Sequence, residues 1–253
     1  MKNTTRKNNK ISKLCVVFDI DETILVYLNN ARSNHKFRSL NTDLFDHAEF
    51  QIGDKREFVV FRPGFRDFIT YAKRKKIDIA IWTYGDKKYA EFIDRLICLY
   101  YGFRKSPFVF VYSNLEIKED IQNGRFEKDM RRIFDAYPGR FNISNTFLVD
   151  NKPSNIYHQS NFKNGFIVES FNLFLNKNDI ILASQDDLFT ILKDVCNKII
   201  KHKGASNIPI FEKENIQSME LDKYYKQYIN KDTPLSIMST DNLDFDEQFT
   251  LIK

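Results

Sequence analysis

The sequence has few of the residues that build disulfides and zinc sites. Its three cysteines, Cys15, Cys98 and Cys196, are far apart in the chain and include no Cys-x-x-Cys pair. Its four histidines lack the spacing of zinc ligands. These shortages exclude a disulfide-stabilised secreted module and a zinc-binding module, and they predict buried thiols in a reducing compartment.

The sequence also lacks any apolar run that could span a bilayer, which takes ~20 residues as a helix. It begins with "MKNTTRKNNKISK", which is polar and basic and contains no apolar signal-peptide region. No internal repeat or low-complexity segment is present. We therefore expect a cytoplasmic or nuclear protein that has no membrane partner.

Charge gives little support for a nucleic-acid partner. The net charge is only +5 over 253 residues, which suits a solvated surface better than a dedicated acidic partner. The run "AKRKK" at 72–76 is similar to a nucleic-acid patch or a nuclear signal. It lies at the end of a predicted helix, however, where cations stabilise the helix dipole. Nucleic-acid binding is therefore not expected.

What the sequence does contain is an alternation of short apolar strands and amphipathic helices. This alternation predicts βαβ units around a parallel sheet. The predicted strands are 14–20, 77–82, 108–113, 145–150 and 165–170, with a β-hairpin at 48–61 and helices at 63–76, 86–102, 127–137 and 185–200. The predicted organisation is a flexible arm (1–12), one α/β domain (13–202) and a partly helical C-terminal extension that ends in an acidic, mobile tail (203–253).

Polar residues end three of the predicted strands. Asp19 and Asp21 follow the first strand, Thr83 the second, and Asp150 with Asn151 a later one. The carboxyl ends of parallel strands meet at one edge of a sheet, where ligands bind. Crowded carboxylates at a buried edge need a cation, and a ligand set made only of oxygen atoms favours Mg²⁺.

Each of these residues also has an ordinary structural explanation. An Asp-x-Asp pair occurs in loops and helix caps, and Thr83 or Asp150 suits a turn at a strand end. Lys128 suits a solvated helix start, although the helix dipole mildly disfavours a cation there. Their joint occurrence in one chain favours the functional interpretation.

The segments around these residues resemble the haloacid dehalogenase superfamily, and within it the RNA polymerase II carboxy-terminal-domain phosphatases and NLI-interacting-factor-like proteins. The segment "FDIDETIL" resembles their Asp-x-Asp-Glu-Thr-Leu motif, and "FVVFRPGFRDFI" resembles their Arg-Pro-Gly segment after a hairpin. The segments "IAIWTYGDKKYAEFI", "FEKDMRRI" and "FLVDNKPSNIY" are similar to the threonine strand, the lysine segment and the metal motif. The resemblance runs from about Leu14 to Ile200.

The resemblance implies a Rossmann-like fold with a small β-hairpin insertion and no large cap domain. It also implies the hydrolysis of phosphoric monoesters. Asp19 would be the nucleophile that forms an aspartyl-phosphate. Asp21 would protonate the leaving alkoxide and then activate water. Thr83 and Lys128 would hold the phosphoryl oxygens as charge develops on them.

The same resemblance implies a Mg²⁺ cofactor. Asp19, the backbone carbonyl of Asp21, and Asp150 would hold the ion, and Asn151 would assist directly or through water. The family often has a phosphate-binding arginine between its second and third motifs. Here the segment "FVFVYSNLEIKEDIQNGRFEK" offers only Arg125, nearer to the motif lysine than expected, so that role stays unassigned.

The leading functional interpretation is a protein-serine/threonine phosphatase that acts on a phosphoprotein or phosphopeptide. The segments between motifs are ~40 residues, shorter than a typical independent domain, which implies an open site. One alternative is a small-molecule or nucleotide phosphatase of the same superfamily. Another is a non-catalytic binding protein with the same fold, which the complete set of catalytic residues disfavours. The motifs specify neither the physiological substrate nor the oligomeric state.

Overall fold

The computed structural model describes residues 13–28, 31–40, 42–157, 165–173, 177–201 and 250–252. The predicted arm and most of the C-terminal extension lie outside these ranges. The strands are β1 (Cys15–Phe18), β2 (Leu25–Leu28), β3 (His47–Ile52), β4 (Lys55–Phe61), β5 (Asp78–Trp82), β6 (Phe108–Tyr112), β7 (Thr146–Asp150), β8 (Gly165–Ile167) and β9 (Thr250–Ile252). The helices are α1 (Ala31–Arg38), α2 (Phe65–Lys75), α3 (Lys87–Tyr101), α4 (Asn114–Gln122), α5 (Arg131–Ala136), α6 (Pro153–Tyr157), α7 (Lys177–Ser184) and α8 (Leu188–Lys201), and a 3-10 turn covers Thr42–Leu44.

A parallel five-stranded sheet forms the centre of the molecule, in the order β6-β5-β1-β7-β8. The four residues of β1, Cys-Val-Val-Phe, are all buried, which suits a central strand that is covered on both faces. Buried residues of α2, α3 and α8 pack on one face, and those of α4, α5 and α6 pack on the other. The predicted α/β class is confirmed. No helix in the described part of the chain has both the length and the apolar character needed to cross a membrane.

A second, antiparallel sheet has the order β2-β4-β3-β9, and three of its strands, β2, β3 and β4, are inserted between β1 and α2. Its centre is the predicted hairpin, in which β3 and β4 are joined at Gly53 with a positive φ of 54°. Strand β9 adds to the free edge of β3, with Leu251 opposite Phe50. Residues 250–252 of the predicted tail form this strand, and Leu251 packs against the main core.

The predicted helix 127–137 is wrong in its first turn. Helix α5 begins only at Arg131, where the Asp129 carboxylate accepts a hydrogen bond from the backbone N–H of Arg131 at 2.9 Å. Lys128 lies before the helix, in the left-handed region with φ of 50°. Five further elements were not predicted: β2, α1, α4, α6 and α7.

A cluster of charged side chains marks the amino-terminal edge of the parallel sheet. We call it the amino-edge cluster; it consists of Lys13, Asp78 and Arg140. Asp78 is buried at the start of β5, and it forms an ion pair with Lys13 and a second one, of 2.9 Å, with Arg140. Both cations are about half exposed, with side-chain exposures of 46% and 48%. The cluster fixes the residues before β1 and β7 to the start of β5.

Candidate active site

The two central strands of the parallel sheet end side by side in aspartates. Strands β1 and β7 pair in parallel with Phe18 opposite Val149, and the backbone N–H of Asp19 donates to the carbonyl of Val149 at 2.9 Å. This register places Asp19 beside Asp150 at the carboxyl edge. Both side chains are buried.

Lys128 connects these two aspartates. Its Nζ donates to Asp19 Oδ1 at 2.5 Å and to Asp150 Oδ2 at 2.7 Å, and the lysine is completely buried. The ammonium also lies 5.0 Å from the centre of the Tyr84 ring. A non-glycine residue in the left-handed region costs about 1 kcal/mol or more and persists only where its surroundings hold it. Here the two ion pairs hold Lys128. We call Asp19, Lys128 and Asp150 the carboxyl-edge cluster.

Burial and the crowding of charged groups change the pKa values of this cluster. Burial raises the pKa of Asp19 from 3.8 to about 7, with smaller contributions from the charges of Asp150 and Asp21, and Lys128 opposes the rise. Burial also disfavours the charged form of Lys128. The two carboxylates beside it outweigh that effect, so the pKa of Lys128 is raised and the amine stays protonated.

Asp21 lies at the exposed side of the site, next to the buried Thr83. Thr83 follows β5, the neighbour of β1, and its hydroxyl lies 3.5 Å from Asp21 Oδ2. The Tyr89 hydroxyl donates to Asp21 Oδ1 at 2.5 Å. Surrounding protein atoms desolvate the Asp21 carboxylate and raise its pKa, while the hydrogen bond from Tyr89 opposes the rise. Because Asp21 is exposed to solvent, water limits this rise.

Asn151 joins the site through the loop that follows β1. Its Oδ1 accepts a hydrogen bond from the Thr23 hydroxyl at 3.3 Å, and the same hydroxyl lies 3.3 Å from Asp19 Oδ2. Its Nδ2 donates to Glu22 at 3.2 Å and to Ser170 at 2.9 Å. All six residues that the sequence predicted for the site therefore lie together at the carboxyl edge: Asp19, Asp21, Thr83, Lys128, Asp150 and Asn151.

A comparison with known protein families agrees with this arrangement. The family model for NLI interacting factor-like phosphatases matches residues 14–200, which is most of the chain. The chain belongs to that family. The resemblance described above is thus confirmed at the level of the family.

Solved structures and curated proteins give less information about this chain than the family model does. The chain is 17% identical to Fcp1, described as an essential RNA polymerase II CTD phosphatase, over 73% of this chain and 50% of that one, with a TM-score of 0.46. It is 16% identical to a fission yeast Fcp1 variant bound to beryllium fluoride, over 76% of this chain and 57% of that one, with a TM-score of 0.44. The chain thus spans about half the length of these structures. No curated protein matches it.

The oxygen atoms of the site fit a magnesium ion. Among the described residues, no three His, Cys, Asp or Glu side chains converge closely enough to form a metal cluster by themselves. Magnesium, however, keeps several waters and takes only one or two carboxylates from a protein. The buried carboxylates of Asp19 and Asp150 share a single buried cation, Lys128, and the charge of Asp21 also acts on Asp19. The excess of negative charge and the all-oxygen donor set suit a divalent cation in this NLI interacting factor-like chain.

Four side chains that support the site were not predicted from the sequence. Thr23 bridges Asp19 and Asn151, and Tyr89 bonds to Asp21. Asn155 on α6 donates to Asp150 Oδ2 at 2.7 Å and accepts from the Tyr84 hydroxyl at 2.7 Å. Thr23, Tyr84, Tyr89 and Asn155 all lie inside the motif segments, but only the three-dimensional contacts reveal which atoms they hold.

Proposed function

We propose that this chain is a Mg²⁺-dependent phosphatase that hydrolyses phosphoserine or phosphothreonine in proteins through an aspartyl-phosphate. The observation that carries the proposal is the fully buried Lys128 between Asp19 and Asp150, with Asp21 and Thr83 alongside. Burying charges costs free energy that their attraction often fails to repay, so a role in stability explains the arrangement poorly. A role in chemistry explains it better.

In the first half-reaction, Asp19 attacks the phosphorus atom. Its strand position fixes the carboxylate, and the raised pKa makes it a better nucleophile than an ordinary aspartate once it is ionised. The bond from phosphorus to the serine or threonine oxygen breaks as the bond to Asp19 forms. The leaving oxygen receives the proton that Asp21 carries.

In the second half-reaction, water attacks the phosphorus of the aspartyl-phosphate. Asp21, now a carboxylate, accepts a proton from this water, and the bond between phosphorus and Asp19 breaks. The product is inorganic phosphate. Both acids return to their original protonation states. Solvent exposure of Asp21 allows the water to reach it.

Thr83 and Lys128 hold the phosphoryl oxygens in both halves. The Thr83 hydroxyl lies beside Asp21, and the Lys128 ammonium is close enough to Asp19 to contact an oxygen on the same phosphorus. Phosphatases of this superfamily generally use Mg²⁺. Here Asp19, Asp150, the carbonyl of Asp21 and the side chain of Asn151 would hold the ion, which supplies charge stabilisation for the phosphoryl group.

The exposure of the site supports a protein substrate. Asp21 and Lys152 are both exposed at its open side, and the inserted sheet is built from short strands. A phosphorylated loop or tail can present its side chain to such a surface while the rest of the polypeptide lies outside.

The three cysteines are free thiols, which supports our proposal of a cytoplasmic or nuclear location.

The first experiment is hydrolysis of p-nitrophenyl phosphate with Mg²⁺ and with EDTA. We expect turnover with Mg²⁺ and none with EDTA, and Asp19→Asn gives the background rate. Full turnover in EDTA would contradict the proposed cofactor.

The second experiment compares phosphopeptides, sugar phosphates and nucleotides at one Mg²⁺ concentration. We expect the highest kcat/KM for phosphopeptides, because contacts outside the site lower the barrier. A tenfold preference for a small metabolite, which corresponds to ~1.4 kcal/mol of transition-state binding, would favour the small-molecule alternative. Binding of phosphopeptides without any turnover would favour the non-catalytic alternative.

A further inference from the structure

Tyr89 lies on α3 beside the exposed acid of the site. Its hydroxyl donates to Asp21 Oδ1 at 2.5 Å, and its side chain is only 1% exposed. Asp21, in contrast, is exposed, and an exposed aspartate ordinarily samples several rotamers. The contact therefore ties an otherwise mobile carboxylate to a buried, immobile donor.

Local sequence fixes the position of the Tyr89 ring. Asp86 caps α3 by accepting a hydrogen bond from the backbone N–H of Tyr89 at 2.7 Å. Gly85 leaves room for the ring, since a Cβ atom at that residue would lie 2.2 Å from Tyr89 Cδ1. On the inserted sheet, the Tyr27 ring lies against it with centroids 6.3 Å apart. The fold thus sets the position of the phenol independently of Asp21.

The two oxygens of Asp21 have different neighbours. Oδ1 accepts the hydrogen bond from Tyr89, whereas Oδ2 faces the Thr83 hydroxyl, 3.5 Å away. We infer that Tyr89 is a positioning residue, which holds Oδ1 so that Oδ2 is the oxygen that transfers protons. Oδ2 gives its proton to the leaving alkoxide as the Asp19–phosphorus bond forms, and it takes a proton from water as that bond breaks. This inference rests on the proposed function.

A positioning role predicts an effect that depends on the leaving group. An alkoxide leaves with difficulty and needs a well-placed proton, whereas p-nitrophenolate leaves without one. In a two-step reaction, kcat/KM reports only the steps through departure of the first product, so the later role of Asp21 as a base does not disturb it. A purely structural role for Tyr89 would lower the rates of all substrates by the same factor.

The test compares wild type and Tyr89→Phe across a series that runs from p-nitrophenyl phosphate to phenyl phosphate and a phosphoserine peptide, with saturating Mg²⁺. General acid catalysis contributes 10²–10⁴-fold where it operates. We expect Tyr89→Phe to lower kcat/KM for the peptide by at least ~30-fold and for p-nitrophenyl phosphate by less than ~3-fold. If Tyr89 positions Asp21, log kcat/KM should depend more steeply on leaving-group pKa in Tyr89→Phe than in wild type.

Tyr71→Phe is the matched control. Tyr71 is also a buried tyrosine, and its hydroxyl bonds to the Lys193 carbonyl and the Asn197 side chain, between α2 and α8 and away from the site. This variant should keep the wild-type dependence on leaving group. Thermal unfolding of both variants shows whether each is folded at the assay temperature.

The possible outcomes separate the inference from the proposed function. An inactive wild type overturns the proposed function. An active wild type together with equal losses for all substrates in Tyr89→Phe overturns the inference alone. If Tyr71→Phe also steepens the dependence, the effect reflects general loosening of the fold, and the inference is again overturned.

Discussion

The two edges of the parallel sheet carry buried aspartates in opposite electrostatic situations. At the amino edge, Asp78 has two cations, both half exposed. At the carboxyl edge, Asp19 and Asp150 share the single cation Lys128, which is completely buried. The first cluster is balanced by groups that keep much of their hydration, whereas the second has more negative charge than its own residues neutralise.

This difference separates a structural cluster from a chemical one. Half-exposed cations can pair with a buried carboxylate at modest cost, because water still solvates them. A buried lysine among several carboxylates is far more costly to desolvate.

The largest expected effect is on catalysis by Asp19→Asn. We expect kcat/KM for a phosphopeptide to fall by at least ~10³-fold, as for the loss of other catalytic nucleophiles. The unfolding free energy should not fall, because the amide keeps an acceptor for Lys128 and one crowded charge is removed. Beryllium fluoride should form an adduct on wild-type Asp19 and none on the variant. An adduct on Asp21 would reverse the assigned roles.

The second largest effect is on stability, in Lys128→Met. Removing the shared cation leaves two buried carboxylates unpaired, which costs ~3–5 kcal/mol of unfolding free energy. Urea denaturation measures this loss. The control is Lys152→Met, which removes an exposed cation near the same site and should change stability by less than ~1 kcal/mol. Equal losses in the two variants would show that burial of Lys128 does not determine the effect.

The third effect concerns pH. The pKa of Asp19 is raised from 3.8 to about 7 in the folded protein, so folding favours its protonated form. Its contribution to stability is complete below pH 3.8 and is lost as pH rises through about 7. In EDTA, the unfolding free energy of wild type minus that of Asp19→Asn should therefore decrease from pH 4 to pH 7. If the unfolding free energies of the two proteins changed with pH in parallel, the raised pKa of Asp19 would be contradicted.

The smallest effect is at the amino edge. Asp78→Asn removes the charge that pairs with Lys13 and Arg140, and we expect a loss of ~1–2 kcal/mol of unfolding free energy, because both cations can be hydrated instead. Kinetic constants for p-nitrophenyl phosphate should match those of wild type. A clear fall in kcat would show that the two edges are coupled through β1 and β5.

The sequence was sufficient to predict the sheet and the positions of the site residues, because both depend on local patterns. Apolar runs such as the one that ends at Phe18 identify buried strands, and the residues that follow them must lie at the carboxyl edge. Their chemical roles remain predictions. The positions of Asp19, Thr83 and Asp150 follow from this rule alone.

What the sequence could not supply depends on contacts between distant residues. The backbone of Lys128 is held by ion pairs to Asp19 and Asp150, and helical periodicity wrongly extended a helix through it. The hydrogen bond from Tyr89 to Asp21 joins residues 68 positions apart. Helix α4, in contrast, could have been predicted, because Ser113 and Glu116 form a capping box that is visible in the sequence.

The pairing of β9 with β3 has a consequence for the order of folding and for solubility. Leu251 and Phe50 are about two hundred residues apart in the chain, so their contact closes a very long loop for the gain of a three-residue strand. We expect this strand to form after the hairpin and to open before it. Each opening leaves the β3 edge with unpaired backbone groups, which are a template for strands of other molecules. Aggregation in concentrated solutions should therefore begin at β3 and not at the buried parallel sheet.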